Sequence, residues 1–172
     1  MSVPGIKETR QYLTFNLGEE SFALDVAHVR EILEFTTVTK IPQTPEFMRG
    51  VINLRGSVVP VMDMRVKFNL SMVEKTVDTC IIVVEVSLGE ETTILGALVD
   101  SVQEVFELEP DQIEPAPKIG TGFKTEFIKG MGKRDERFII ILDIDRVFSE
   151  DELEFADMTI ESVSGNAVET AA

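Results

Sequence analysis

The chain repeats itself once, and that repetition limits the folds open to it more than any other feature. Leu17-Gly18-Glu19-Glu20 returns as Leu88-Gly89-Glu90-Glu91, and Val29-Arg30-Glu31-Ile32-Leu33-Glu34-Phe35 returns as Val102-Gln103-Glu104-Val105-Phe106-Glu107-Leu108. Glu46-Phe47-Met48-Arg49-Gly50 returns as Glu126-Phe127-Ile128-Lys129-Gly130, at the same spacing that relates Asp63 to Asp143 and Phe68 to Phe148. The offset grows from 71 through 73 to 80, as short insertions in the second copy produce. An ordered series of this kind marks one duplication of a unit of roughly 60 residues, too long a period for a solenoid. A unit that small buries too little of its own surface to be stable alone. The two copies are therefore expected to pack together.

Each copy reads mostly as strand. Tyr12 to Leu17 alternates apolar and polar residues, Gly18 turns the chain, and Phe22 to Val26 resumes the pattern. The second copy begins likewise with Ile81 to Val86, a turn at Gly89, and Ile94 to Val99. Val51 to Leu54, a turn at Arg55-Gly56, and Ser57 to Met62 form another hairpin, with Phe138 to Leu142 as its apolar counterpart. Pro60 predicts an edge strand or a bulge there. Helices are expected to be short: one starting at Thr44 or Pro45 before Gly50, one capped by Asp63 and ending near Phe68, and one capped by Asp143 before Phe148.

The pattern predicts a mainly β chain of two small closed or nearly closed barrels joined by brief helical turns. One domain is expected over about 11–157, with a first unit near 11–70, a second near 78–148 and a short C-terminal helix near 150–157. Flexible tails are expected at 1–10 and 158–172. Ser149 and Glu152 are spaced as a capping box for that helix.

Charge narrows the partners. The 31 Asp and Glu against 16 Lys and Arg give a formal net charge of −15, which excludes nucleic acid and disfavours anionic lipid, since both need a basic surface. No apolar run approaches the roughly 20 residues of a spanning helix. Met1 to Arg10 lacks the apolar core of a signal peptide. A cytoplasmic protein, reaching a membrane only through a partner, is expected. Cys80 is the single cysteine, so no internal disulfide can form, and its apolar surroundings predict a buried strand residue.

Catalytic chemistry is missing from the sequence. His28 is the only histidine, so no multi-histidine metal site is possible, and it reads as a loop or surface residue. Gly120-Thr121-Gly122-Phe123-Lys124-Thr125 lacks the glycine before lysine that a phosphate loop requires, because Phe123 stands there. Asp143 to Glu154 places acids as in a calcium loop, but Phe148 occupies the position that needs glycine. Glu19-Glu20 and Glu90-Glu91 lie at turns, where solvated carboxylates are ordinary. No catalytic residue, cofactor or metal is expected.

The two copies differ most at one turn. Where the first reads Asn53-Leu54-Arg55-Gly56, the second reads Lys133-Arg134-Asp135-Glu136. Arg55 is either a solvated turn residue or a five-donor fork for a carboxylate or for backbone carbonyls. Around it, the run from Gly50 through Val51-Ile52-Asn53-Leu54-Arg55-Gly56-Ser57-Val58-Val59-Pro60-Val61-Met62-Asp63-Met64 to Arg65 resembles the signature segment of the CheW-like domain family of chemotaxis coupling proteins. Phe15-Asn16-Leu17-Gly18-Glu19-Glu20, Val29 to Ile32, Gly96 to Asp100 with Val102 and Val105, and Ile113-Glu114-Pro115-Ala116-Pro117 resemble the same family in order and spacing. The resemblance covers about Gln11 to Phe148.

The resemblance implies two intertwined five-stranded SH3-like β-barrel subdomains with an apolar groove between them. It implies a non-enzymatic adaptor linking the histidine kinase CheA, through its regulatory domain, to the cytoplasmic tips of methyl-accepting chemotaxis receptors. Arg55 and the groove-lining Val29, Glu31, Val102 and Val105 are then expected to face the receptor's helical hairpin. The barrel ends are expected to meet the kinase through residues that the resemblance does not single out. With few residues after the second unit, the stand-alone coupling type is expected rather than the CheV type, which adds a receiver domain. Two alternatives stay open: a coupling protein of a non-chemotactic array, and a small hydrolase in the cleft, which would need a nucleophile and base beyond His28.

Overall fold

Strand pairing follows the duplication, but across the copies rather than within them. The computed structural model describes residues 8–68, 70–71, 73–88, 90–115, 127–134, 136–148, 152–154 and 156. Among these the first copy supplies β1 (Arg10–Leu17), β2 (Glu20–Asp25), β3 (Val29–Glu34), β4 (Met48–Leu54), β5 (Ser57–Asp63) and helix α1 (Met64–Lys67). The second supplies β6 (Cys80–Leu88), β7 (Glu91–Val99), β8 (Ser101–Leu108), β9 (Ile113–Glu114), β10 (Ile128–Arg134), β11 (Arg137–Leu142) and helix α2 (Ile144–Val147). Single 3-10 turns occupy Val26–His28 and Pro110–Gln112.

One sheet runs β8-β1-β2-β11-β10-β9 and the other β3-β6-β7-β5-β4. The second order becomes the first five places of the other when each strand is replaced by its counterpart in the other copy. The opening hairpin of each copy is thus exchanged: β1 and β2 complete the sheet of the second copy, and β6 and β7 that of the first. Parallel contacts join each exchanged hairpin to its host, β11 with β2 and β5 with β7. Neither copy can finish a sheet without the other. The chain is mainly β and its two units are intertwined, as expected.

Each sheet curls until its ends meet. β3 and β4 lie at opposite ends of their order, yet the chain leaving β3 returns so that Thr39 and Val51 exchange backbone hydrogen bonds of 2.8 and 2.9 Å. In the other sheet β9 closes on β10 through Glu114 and Met131, the residue 80 positions after Val51. The repeat is preserved in fine detail: β4 pairs with β5 from Met48 opposite Met62 to Leu54 opposite Ser57, with a bulge at Arg49. β10 pairs with β11 in the same register 80 residues later, with a bulge at Lys129.

Three apolar clusters follow from this closure. Ile52, Val59, Val61, Ile81 and Leu98 fill one curled sheet, and Tyr12, Ala23, Leu108, Ile113, Ile139 and Ile141 fill the other. The third and largest lies between the sheets and takes residues from both copies, including Phe15, Phe22, Met62, Val84, Leu95 and Phe148. Phe15, Phe22, Phe68 and Phe127 form a stacked row through it, with successive ring centroids 5.7, 5.6 and 5.1 Å apart. Leu153 and Ala156, in the helical residues 152–154 and 156, are buried in the same cluster, and Glu152 is held by Lys67 at 2.6 Å. The proposed capping residue Ser149, the loop at 120–125, and residues 1–7 and 158–172 of the expected tails lie outside the described residues, while Arg10, expected in the first tail, opens β1.

Several local expectations change. β5 is an interior strand despite Pro60. The amide and carbonyl of Val51, opposite Pro60, point to Thr39, so this pair exchanges no hydrogen bonds, and pairing with β7 begins only at Val61. The missing proline N–H therefore falls where no ladder bond is needed. The segment from Thr44 to Phe47 forms a turn rather than a helix, closed by the Met48 amide donating to the Pro45 carbonyl at 3.0 Å. Asp63 caps α1 through the amides of Arg65 and Val66. Asp143 holds the same place before α2 but its side chain makes no cap bond and lies 3.6 Å from Arg146. Cys80 opens β6 and is only half-buried, its thiol donating to the Asp78 carbonyl. His28 is half-buried at the end of its 3-10 turn.

Tyr12 is fully buried, and its hydroxyl meets no hydrogen-bonding group among the described residues. Burial, reinforced by the negative charge of Asp25 and opposed by Arg10, pushes the phenol above its ordinary value. The folded chain therefore keeps this proton at a pH where the unfolded chain has lost it, and stability should fall as pH rises through the ordinary tyrosine range. Tyr12 is the only tyrosine and there is no tryptophan, so phenolate absorbance reports this group alone. We expect phenolate to appear only together with unfolding, and Tyr12→Phe to extend stability to higher pH. Reversible ionisation at the ordinary tyrosine pKa in the folded protein would contradict this.

Candidate functional site

The turn between β4 and β5 is a two-residue hairpin with both residues in the left-handed region, Arg55 at φ 50° and Gly56 at φ 89°. Asn53 steadies it by accepting the Gly56 amide on its side-chain oxygen at 2.8 Å. Asparagine or glycine suits the first of these positions. An arginine there costs about 1 kcal/mol of backbone strain. That the chain bears this strain at an exposed fork points to a use for the side chain.

The fork is already engaged. One guanidinium nitrogen of Arg55 donates to both carboxylate oxygens of Glu31, at 2.7 and 3.0 Å. Glu31 comes from β3, at the opposite end of the sheet order, so the pair exists only because the sheet curls shut. The Arg55 side chain is 73% exposed and that of Glu31 28%, so the pair contributes about 0–1 kcal/mol to stability. Its guanidinium can exchange one carboxylate for another at little cost.

Around this pair, β3 carries a bulge at Arg30 that leaves Val29 and Glu31 half-buried and Ile32 open. Val29 packs against the cluster between the sheets, and so does Val102 from β8. Val102 of β8 and Cys80 at the start of β6 both pack against this cluster, which brings β8 of one sheet alongside the other. Burial is the main reason the Cys80 thiol is pushed above its ordinary value, so it is a poor nucleophile. Val105, further along β8, is 50% exposed, and its counterpart in the first copy, Ile32, is 44% exposed. The structure therefore joins Arg55 to Glu31, seats Val29 and Val102 on one shared core, and leaves Val105 open on its strand.

Ile32 is an exposed aliphatic residue that sequence reasoning did not single out. The repeat that aligns Val29 with Val102 also aligns Ile32 with Val105, so the signal was present. Among the described residues no group of three or more His, Cys, Asp or Glu is placed to hold a metal ion. No helix among them is long and apolar enough to cross a membrane. Open aliphatic residues on β3 and β8 and an exposed guanidinium at the β4–β5 turn are side chains of the kind that serve recognition.

Comparison with known proteins agrees. The family model for the CheW-like domain matches residues 11–152. A chemotaxis protein CheW of Klebsiella aerogenes is 37% identical over 153 residues, covering 89% of this chain and 90% of the relative. A probable chemotaxis protein CheW of Rhizobium etli is 33% identical over 147 residues, covering 86% and 92%. The crystal structure of the scaffolding protein TtCheW from Thermoanaerobacter tengcongensis superposes with a TM-score of 0.73 at 38% identity, covering 83% of this chain and 94% of that one. With the matched region spanning both copies and both sheets, this chain belongs to the CheW-like domain family.

Proposed function

We propose that the chain is a non-enzymatic coupling adaptor of chemotaxis signalling, joining receptor cytoplasmic tips to the histidine kinase CheA in the cytoplasm. The observation that carries the reading is family membership over the whole folded region, together with relatives named as chemotaxis and scaffolding proteins. Arg55, Glu31, Val29, Val102 and Val105 form the receptor-facing set, to which Ile32 is added. A receptor helix laying its apolar stripe on the aliphatic residues can offer a carboxylate to Arg55, a familiar combination of apolar anchors and one polar clamp. Coupling then requires that the adaptor bind two receptor states with different affinities, because equal affinity transmits nothing.

The direct test is titration calorimetry of the whole chain with a receptor cytoplasmic fragment and, separately, with the kinase regulatory domain. Both are expected to bind, and each without displacing the other. Failure of either to bind, or mutual exclusion, would count against an adaptor.

A further inference from the structure

The two copies also differ at the end of α1. Lys67 stands there, and its counterpart 80 positions later is Val147, which is buried in the cluster between the sheets. An apolar residue thus suffices in the second copy, yet the first keeps a lysine whose side chain is only 19% exposed. The surrounding rings correspond as well. Phe68 and Phe127 stack with centroids 5.1 Å apart. Their counterparts Phe148 and Phe47 both face the Lys67 ammonium, which lies 5.6 and 5.3 Å from their ring centroids. Glu152 closes the cage, both carboxylate oxygens accepting from Nζ at 2.6 Å.

A charge so far withdrawn from water is unfavourable unless it is paired, and two ring faces and a carboxylate supply the pairing. What the cation does that valine cannot is grip the chain beyond α2. Leu153 and Ala156, close behind Glu152, are 2% and 0% exposed in the cluster between the sheets, and they lie past residue 152, where the family match ends. The same cluster supports the receptor-facing valines. Lys67 precedes Phe68, whose ring stacks on Phe22, which stacks on Phe15. Phe15 stands opposite Val102 across β1 and β8, and both Val102 and Val29 pack on the cluster that buries Leu153 and Ala156.

We infer that Glu152, Leu153 and Ala156 form a strap locked down by Lys67, and that docking of the strap and binding of the receptor strengthen each other. The coupling rests on the functional reading above. With the strap docked, the cluster is complete and holds Val29 and Val102 in place for a receptor helix. With it lifted, the cluster loses two buried side chains and the valines lose support. A short segment of this kind can open without global unfolding. Because coupling between two equilibria is reciprocal, a bound receptor holds the strap down by the same factor that the docked strap adds to receptor affinity.

The test is amide hydrogen exchange at residues 152–156 of the full chain, alone and saturated with a receptor cytoplasmic fragment. Exchange there should slow by roughly fivefold or more when the fragment is bound. Lys67→Met keeps a long apolar stem but no charge. It should speed exchange in the strap by roughly tenfold and weaken receptor binding by roughly fivefold or more, while Lys67→Arg, which keeps the cation, stays close to wild type in both. Strap exchange in the wild-type chain that a bound fragment leaves unchanged overturns the coupling, and so does wild-type receptor affinity in Lys67→Met. If the wild-type chain binds no receptor fragment, the functional reading falls and the coupling with it. The lock is decided separately, since unchanged strap exchange in Lys67→Met overturns it.

Discussion

Gly50→Ala is expected to destabilise the chain by roughly 3 kcal/mol or more, seen as a melting temperature lower by about 10 °C. Gly50 has φ 144°, a region that side chains rarely adopt. A Cβ there would overlap the Thr39 carbonyl oxygen and stand 2.7 Å from its carbonyl carbon and 2.9 Å from Val38 Cγ1. The obstruction is backbone, and it is the same Thr39 whose two hydrogen bonds to Val51 close the sheet. The substitution therefore cannot be relieved by a rotamer change, only by opening the closure. Gly132→Ala is the informative contrast. Its added Cβ would meet Leu108 Cδ1 at 2.8 Å, the far end of a flexible side chain, so a loss of about 1 kcal/mol is expected. Equal losses in thermal unfolding of the two variants would show that the Thr39 bridge does not close the sheet.

Arg55→Glu should have the largest effect on binding: receptor affinity lower by roughly tenfold or more, with kinase affinity and melting temperature close to wild type. The reversal sets two carboxylates against each other at the turn, but at an exposed site that repulsion is screened and small. Arg55→Glu combined with Glu31→Arg restores an ion pair with its polarity exchanged. If the fork serves only to hold β3 to the turn, the double variant regains receptor affinity. If it serves the receptor, affinity stays low although the pair is restored. Wild-type receptor affinity in Arg55→Glu would remove Arg55 from the site.

Much of this was legible in the sequence, because a duplication reports which positions are equivalent. The offset of 80 links β4 to β10, β5 to β11 and α1 to α2 with identical starting points. The hairpin exchange was not legible. β1-β2 and β6-β7 carry the same alternation, and a pattern of alternating residues says that a strand has a buried face without saying against which sheet. The Arg55–Glu31 pair was hidden for the same reason, since residues from opposite ends of a sheet order touch only after closure.

Equivalence also misled where a neighbour differs. Asp63 and Asp143 occupy the same place, yet Asp63 caps its helix while taking a 3.2 Å hydrogen bond from Arg49, and Asp143 lies near Arg146 and caps nothing. At the β10–β11 turn the sequence showed the substitution of Lys133-Arg134-Asp135-Glu136 for Asn53-Leu54-Arg55-Gly56. The exposure of Phe138 required the three-dimensional neighbourhood.

The central claim is that one chain, through two distinguishable sides, makes kinase output depend on receptor state. It is tested most directly by measuring CheA autophosphorylation with membrane-embedded receptors, with and without the chain, in the presence and absence of attractant. The account predicts that kinase activity responds to attractant only when the chain is present, and that Arg55→Glu abolishes the response without altering the kinase's basal rate. An attractant response of equal size without the chain, or an undiminished response with Arg55→Glu, would contradict it.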